Sequence, residues 1–171
     1  MKNRIANLLA RGVVALGNSA SKLQSLQVRL TAGEVKDNME HLEPYGFTAS
    51  PLAGAEALAG FFGGDRSHGV VIVVSDRRHR LVGLKPGEVA IYTDEGDRIH
   101  MKRGRVIDIE TMTLNVSALG SVNFDTPLIS TTGRIESTGD QVAGGVSQIN
   151  HPHSDVQRGD DQSGPPIGGD E

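Results

Sequence analysis

Two histidines one residue apart, His151 and His153 in the stretch "INHPHSDV", are the pair in this chain whose type and spacing could bind a metal. In an extended strand, residues i and i+2 face the same side, so both imidazoles can converge on one point. Pro152 between them fixes its own φ near −65° and lacks an N–H, which suits an extended or edge segment and stiffens the pair. From the tripeptide alone, two solvent-exposed histidines in a polar tail are the better reading. The chain before it must decide.

That chain has 171 residues, a formal charge of −4, 22 glycines, four phenylalanines, two tyrosines and neither tryptophan nor cysteine. The size allows one ordinary domain or a small domain with an elongated appendage. An overall negative charge argues against a nucleic-acid partner, whose phosphates call for a basic field. Without cysteine there are no disulfides and no thiolate metal sites, so any extracellular rigidity must come from strand pairing, oligomerisation or a metal held by other ligands.

At the N-terminus Ile5, Leu8, Leu9, Gly12 and Leu16 share a helical face, which predicts a short amphipathic helix within an N-terminal segment, residues 1–24. Arg11 interrupts the apolar run, so a docking helix is favoured over an export signal or a membrane span. From residue 25 to residue 92 the sequence predicts a compact β-rich domain. Leu26, Val28 and Leu30 alternate as in a strand with one buried face, "VVIVVS" reads as a central strand covered on both faces, and "EVAIYT" follows the turn "KPGE". "GAEALAGFF" balances helix-favouring alanines against glycines that permit close packing on another backbone, and is assigned as strand. Four or five such strands with uneven loops fit a Greek-key barrel of the OB type.

Residues 93–150 have another texture. Ile107 and Ile109, then Leu114, Val116 and Ala118, then Val122, Phe124, Thr126 and Leu128 form short alternating runs, punctuated by Gly104, Gly120, Pro127, Gly133 and Gly139. Each run offers two or three apolar side chains at about 1.5–3 kcal/mol apiece when fully buried, against roughly 1–2 kcal/mol per residue of backbone entropy. One copy cannot hold such a shape. Three copies wound about one axis bury the inward side chains and pair the open edges, predicting an intertwined trimeric β-helix. The rival, a disordered Thr/Ser-rich tail, does not account for the recurring β-branched residues.

With three chains, two inward imidazoles from each give six nitrogens around one point. That donor set disfavours Zn²⁺, which prefers four ligands, and Mg²⁺, which prefers oxygen; it points to iron first and nickel second. With every position filled by protein, the ion would be structural, a cross-link in residues 151–171. Asp155, Asp160 and Asp161 could form a second, oxygen-lined site for calcium, although acidic turn residues are more often simply solvated.

The stretch from "EHLEPYGFTASPLAGAEA" through "GGDRSHGVVIVVSDRRHRLVGLKPGEVAIYTDEGDRIHM", together with the ending His-x-His, Val156, Gly159 and "SGPP", resembles the phage Mu central-spike family, related to the baseplate assembly protein V family of contractile-tailed phages. The resemblance covers nearly the whole chain from Leu26. It implies a mainly β homotrimer: an OB-fold-like collar (25–92), a triple-stranded β-helix shaft (93–150) and a pointed tip (151–171) holding one iron through His151 and His153 of each chain. It further implies assembly in the host cytoplasm, contact with tail tube and baseplate proteins, a place at the baseplate tip of the virion, and penetration of the host outer membrane. Family tips are often richer in glycine where this chain has Ser154, Asp155, Asp160 and Asp161.

No enzyme is expected. Asp65, Ser67 and His68 lie too close together in a glycine-rich loop for triad geometry, no phosphate-binding loop occurs, and no separated carboxylate pair is found. The alternative is an OB-fold binding module for oligosaccharide or single-stranded nucleic acid on a trimeric β stalk, with Arg77, Arg78, Arg80 and Lys85 as its basic loop. Aromatic stacking platforms, which such binding normally needs, are nearly lacking, with Tyr92 close by and Phe61 and Phe62 assigned to the core.

Overall fold

The computed structural model describes residues 8–155 and residue 159. The chain forms two compact units, Met1–Val116 and Ser117–Glu171.

The first unit is built on a closed five-stranded barrel. Strands β1 (Leu9–Asn18), β2 (Ser25–Leu30), β3 (Val35–His41), β4 (Glu56–Phe61) and β5 (Gly69–Ser75) close in the order β1-β2-β3-β5-β4. Strands β3 and β5 run parallel, and the other neighbours are antiparallel. Inside, Val14, Leu26, Val28, Leu30, Met39, Ala57, Ala59, Phe61 and Val71 form one cluster. The period-2 pattern of "LQVRL" does what it predicts, burying Leu26, Val28 and Leu30 on a single face. "EALAGF" is a strand as well: Ala57, Ala59 and Phe61 turn inward, and small side chains suit a narrow interior.

Residues 9–18 are strand, not the helix expected from Leu8, Leu9, Gly12 and Leu16; Ile5 lies outside the described residues. The reason is tertiary. Ala10, Gly12 and Val14 alternate toward the core with period 2, and Val13 and Val14 are β-branched, so a barrel needing one more strand overrides a weak helical spacing. Gly12 is required by close approach rather than by its torsion angles. A Cβ there would sit 2.6 Å from the carbonyl oxygen of Arg29 and 2.6 Å from a Val28 methyl group.

A second expectation is corrected on β5. Val70 and Val71 are buried, but Ile72 and Val73 are about half exposed, so the strand is not covered on both faces. The register shifts between Leu58 and Ala59 where β4 meets β5, and this irregularity turns Ile72 over Gly60 on the outside of the barrel.

"EVAIYT" does form a strand, outside the barrel. Strands β6 (Val89–Tyr92), β7 (Arg98–Lys102) and β8 (Val106–Glu110) make an antiparallel meander. The turn "KPGE" before it closes with the Glu88 N–H donating to the Lys85 carbonyl, Gly87 taking φ +85° as the third turn residue requires.

In the second unit the described strands are a hairpin, β9 (Val142–Ala143) and β10 (Val146–Ser147), joined by Gly144 and Gly145 with φ +57° and +84°. Two successive left-handed residues make the tight turn that antiparallel strands favour. Between residues 111 and 141 no strand pairs within the chain, and the runs at Leu114–Ala118 and Val122–Leu128, expected to pair across chains, have no strand neighbour of their own. Their apolar side chains are bare: Leu114, Val116, Leu119, Val122, Phe124 and Leu128 are all exposed.

Candidate metal centre

The histidine pair follows directly on the hairpin. Gln148 extends the β9–β10 ladder by donating its N–H to the Gln141 carbonyl at 2.9 Å. The Asp140 carboxylate accepts the N–H groups of Gln148 at 3.0 Å and Ile149 at 3.3 Å, fixing the backbone as it leaves the strand. Ser147 Oγ accepts the Asn150 N–H at 2.8 Å. One turn of chain further on, the Nδ1 of His151 lies 2.7 Å from the Ser147 carbonyl oxygen.

A carbonyl oxygen can only accept, so Nδ1 is the donor in this contact, and whenever the ring is neutral it is Nε2 that keeps the lone pair. This is the usual state of a metal-binding histidine, one ring nitrogen held by the protein and the other free to ligate. The His153 ring stands edge-on to that of His151, with centroids 4.8 Å apart and planes inclined by 67°. Both side chains are exposed.

Thus the structure brings His151 and His153 together, but within one chain they remain two donors. Among the described residues no group of three or more His, Asp or Glu side chains gathers as a metal site. The residues fit an ion only where more than one chain contributes. Of the acidic residues proposed for calcium, Asp155 is exposed with φ +62°, while Asp160 and Asp161 lie outside the described residues, as does Val156 of the family-like ending.

The other candidate constellations take structural roles. Ser67 donates its hydroxyl to Asp65 at 2.7 Å and its N–H to the same oxygen at 2.9 Å, while the His68 ring packs edge-on against Phe62 with centroids 5.4 Å apart. The hydroxyl is therefore turned to the carboxylate, and the three side chains form a capped turn. In the basic loop Arg77 pairs with Glu56, which Arg11 also contacts at 2.7 Å, and Arg78 pairs with Asp76 while donating to the Ala53 carbonyl at 3.0 Å. Asp76 is held down to a pKa of about 2, chiefly by the Arg78 guanidinium. Two of the four cations proposed for an oligonucleotide are so neutralised locally.

One polar centre was not visible in the sequence. Glu88 accepts the backbone N–H of Lys85 at 2.9 Å and of Arg103 at 3.2 Å, and lies 3.2 Å from the His100 Nε2. Its side chain is only 6% exposed, and its pKa is lowered first by the Lys85 N–H. It ties the "KPGE" turn to the β7 strand and to the end of β7, a contact set by tertiary placement that no spacing announces.

Comparison with known proteins agrees with the resemblance noted above. The family model described as Bacteriophage Mu Gp45, N-terminal, matches residues 11–78, a span that takes in nearly all of the five barrel strands. The chain is 43% identical over 137 residues to the baseplate puncturing device gp45 of Escherichia phage Mu, covering 80% of this chain and 69% of that protein. It is 36% identical over 167 residues to the Mu-like prophage FluMu protein gp45 of Haemophilus influenzae, covering 91% of each.

Proposed function

Because the chain belongs to the bacteriophage Mu Gp45 family, a family of structural baseplate proteins and not of enzymes, we propose that it is the central spike of a contractile phage tail, a trimer that penetrates the host outer membrane when the sheath contracts. The observation that carries this reading is the 43% identity to a baseplate puncturing device, sustained over 137 residues. A place in the tail baseplate of the virion, with tail components as neighbours, goes with it.

The physical state of the chain supports the finer points. The barrel has its own core and would serve as the OB-type collar. Residues 112–149 have none: Met112 is 99% and Leu119 109% exposed. Burying side chains of this kind is worth about 1.5–3 kcal/mol each, and three chains wound together would bury them against one another while closing every open edge. A triple-stranded β-helix shaft meets both needs. It also suits a device that must bear load without disulfides, since the chain contains no cysteine.

At the tip, His151 and His153 of three chains would hold one iron ion. When bound, the ion supplies a structural cross-link at the apex. Calcium bound by nearby aspartates is a further, weaker part of the reading. The binding-module alternative has less behind it, because Arg77 and Arg78 are engaged by Glu56 and Asp76.

Sedimentation equilibrium of the full chain, with elemental analysis of the same sample, tests the proposal. The expected result is three chains and one iron per particle. A monomer at micromolar concentration would overturn it.

A further inference from the structure

The tip histidines are only as well placed as the backbone that carries them, and here that backbone is fastened by side chains whose roles the metal reading does not assign. Asp140 precedes the hairpin and Ser147 ends it. Across the hairpin the Asp140 carboxylate accepts the N–H groups of Gln148 and Ile149. The Ser147 hydroxyl oxygen accepts the Asn150 N–H, closing the turn that leads into His151. Ser147 then presents its carbonyl to His151 Nδ1 at 2.7 Å.

From this linkage we infer that Asp140 and Ser147 are positioning residues for the tip ligand, setting His151 in the Nδ1–H form so that Nε2 is its ligand nitrogen. The inference rests on the metal reading above and adds to it a choice of nitrogen and the residues that make the choice.

Three features make this more than local turn chemistry. The Gly144–Gly145 turn pairs Ala143 with Val146 and Val142 with Ser147, and this register brings Asp140 back beside Gln148 and Ile149. Without Asp140, the Gln148 and Ile149 N–H groups that directly follow Ser147 lose their common anchor, and the Ser147 carbonyl is free to rotate away from the ring. An imidazole released from its carbonyl exchanges its proton between the two nitrogens, which lowers the population of the ligating form. Partners of this kind, one shell out from the ion, typically change metal affinity by about 10–100-fold when removed.

The test uses the full chain, stripped of metal and titrated with Fe²⁺ under argon, comparing wild type with Asp140→Ala, Ser147→Ala and Ser147→Thr. Sedimentation of each variant checks assembly, and ¹⁵N spectra of histidine-labelled, metal-free protein report the His151 tautomer. Asp140→Ala and Ser147→Ala should bind Fe²⁺ about 10–100-fold more weakly, with trimers intact and a mixed tautomer at His151. Ser147→Thr keeps the hydroxyl and should restore both the affinity and the Nδ1–H signal. A purely structural role would lower thermal stability and leave the tautomer unmoved.

Unchanged Fe²⁺ affinity or an unchanged tautomer in Asp140→Ala overturns the inference while leaving the metal reading in place. A wild-type protein that takes up no Fe²⁺ overturns the metal reading and this inference with it.

Discussion

Arg66, in the loop between β4 and β5, grips Glu34 just before β3: its guanidinium pairs with the carboxylate, the Nε donating at 3.0 Å, and its Cζ lies 4.9 Å from the centre of the Phe61 ring. Lys36 adds a second cation at 3.0 Å. These contacts, the Arg66 hydrogen bond foremost, pull the Glu34 pKa from 4.5 to about 2.

A carboxylate whose pKa is lower in the folded than in the unfolded chain contributes stability that is fully present above the unfolded value and is lost as pH falls through the folded one. The barrel should therefore weaken between about pH 4.5 and pH 2, with Asp76 adding to the same window. Urea melts at several pH values across that window, compared with Glu34→Gln, check this: the variant should show a shallower fall. An identical pH dependence in both proteins would assign the acid response to other groups.

Leu26 is completely buried at the centre of the barrel cluster. Leu26→Ala removes contacts and leaves a cavity, and should cost about 2–5 kcal/mol. Chemical denaturation followed by circular dichroism measures it directly.

Gly12 offers the opposite test. Gly12→Val would force atoms against the Arg29 carbonyl and Val28, both within 2.6 Å of the first added carbon, so β1 would have to part from β2. The expected loss is about 1–3 kcal/mol or more, with faster amide exchange along Leu9–Asn18 as the local signature. The outward-facing Val13→Thr should leave both measurements close to wild type.

Glu88→Gln keeps the shape of the side chain and removes the charge that the Lys85 and Arg103 N–H groups and His100 surround. Hydrogen bonds to a charged acceptor are worth roughly 1.5–3 kcal/mol. Amide exchange at Lys85 and Arg103 should accelerate, while exchange within the barrel core stays slow. Equal protection in both proteins would show that the turn is held by its Pro-Gly backbone alone.

On the proposed metal reading, replacing His153 with alanine takes one imidazole from each chain and should reduce bound metal to below about a tenth of wild type, since ligands of such sites act together. Elemental analysis measures the loss; sedimentation should still report the wild-type assembly.

Sequence made the barrel legible where one face of a strand is buried and the other wet. Leu26, Val28 and Leu30 advertise their strand because water and core alternate along it, and "KPGE" advertises its turn because Gly87 needs a positive φ. β1 was hidden for a physical reason: leucines and a glycine at helical spacing coincide with a period-2 set, Ala10, Gly12 and Val14, and only the demand of the closed sheet separates the two. On β5 a register shift exposes Ile72 where continuous apolar sequence implied cover. The spacing of His151 and His153 announced the pair, whereas the grip of Asp140 on Gln148 and Ile149 depends on a short hairpin folding back, which no residue type signals.

The division between a sheet that closes on itself and a thread of side chains with nothing of their own to lean on also fixes the order of events after synthesis. A barrel can form on each newly made polypeptide at a rate indifferent to how many others are present. On the trimeric reading residues 112–149 must wait for company, so the maturation of the spike is paced by how crowded the infected cell becomes with copies.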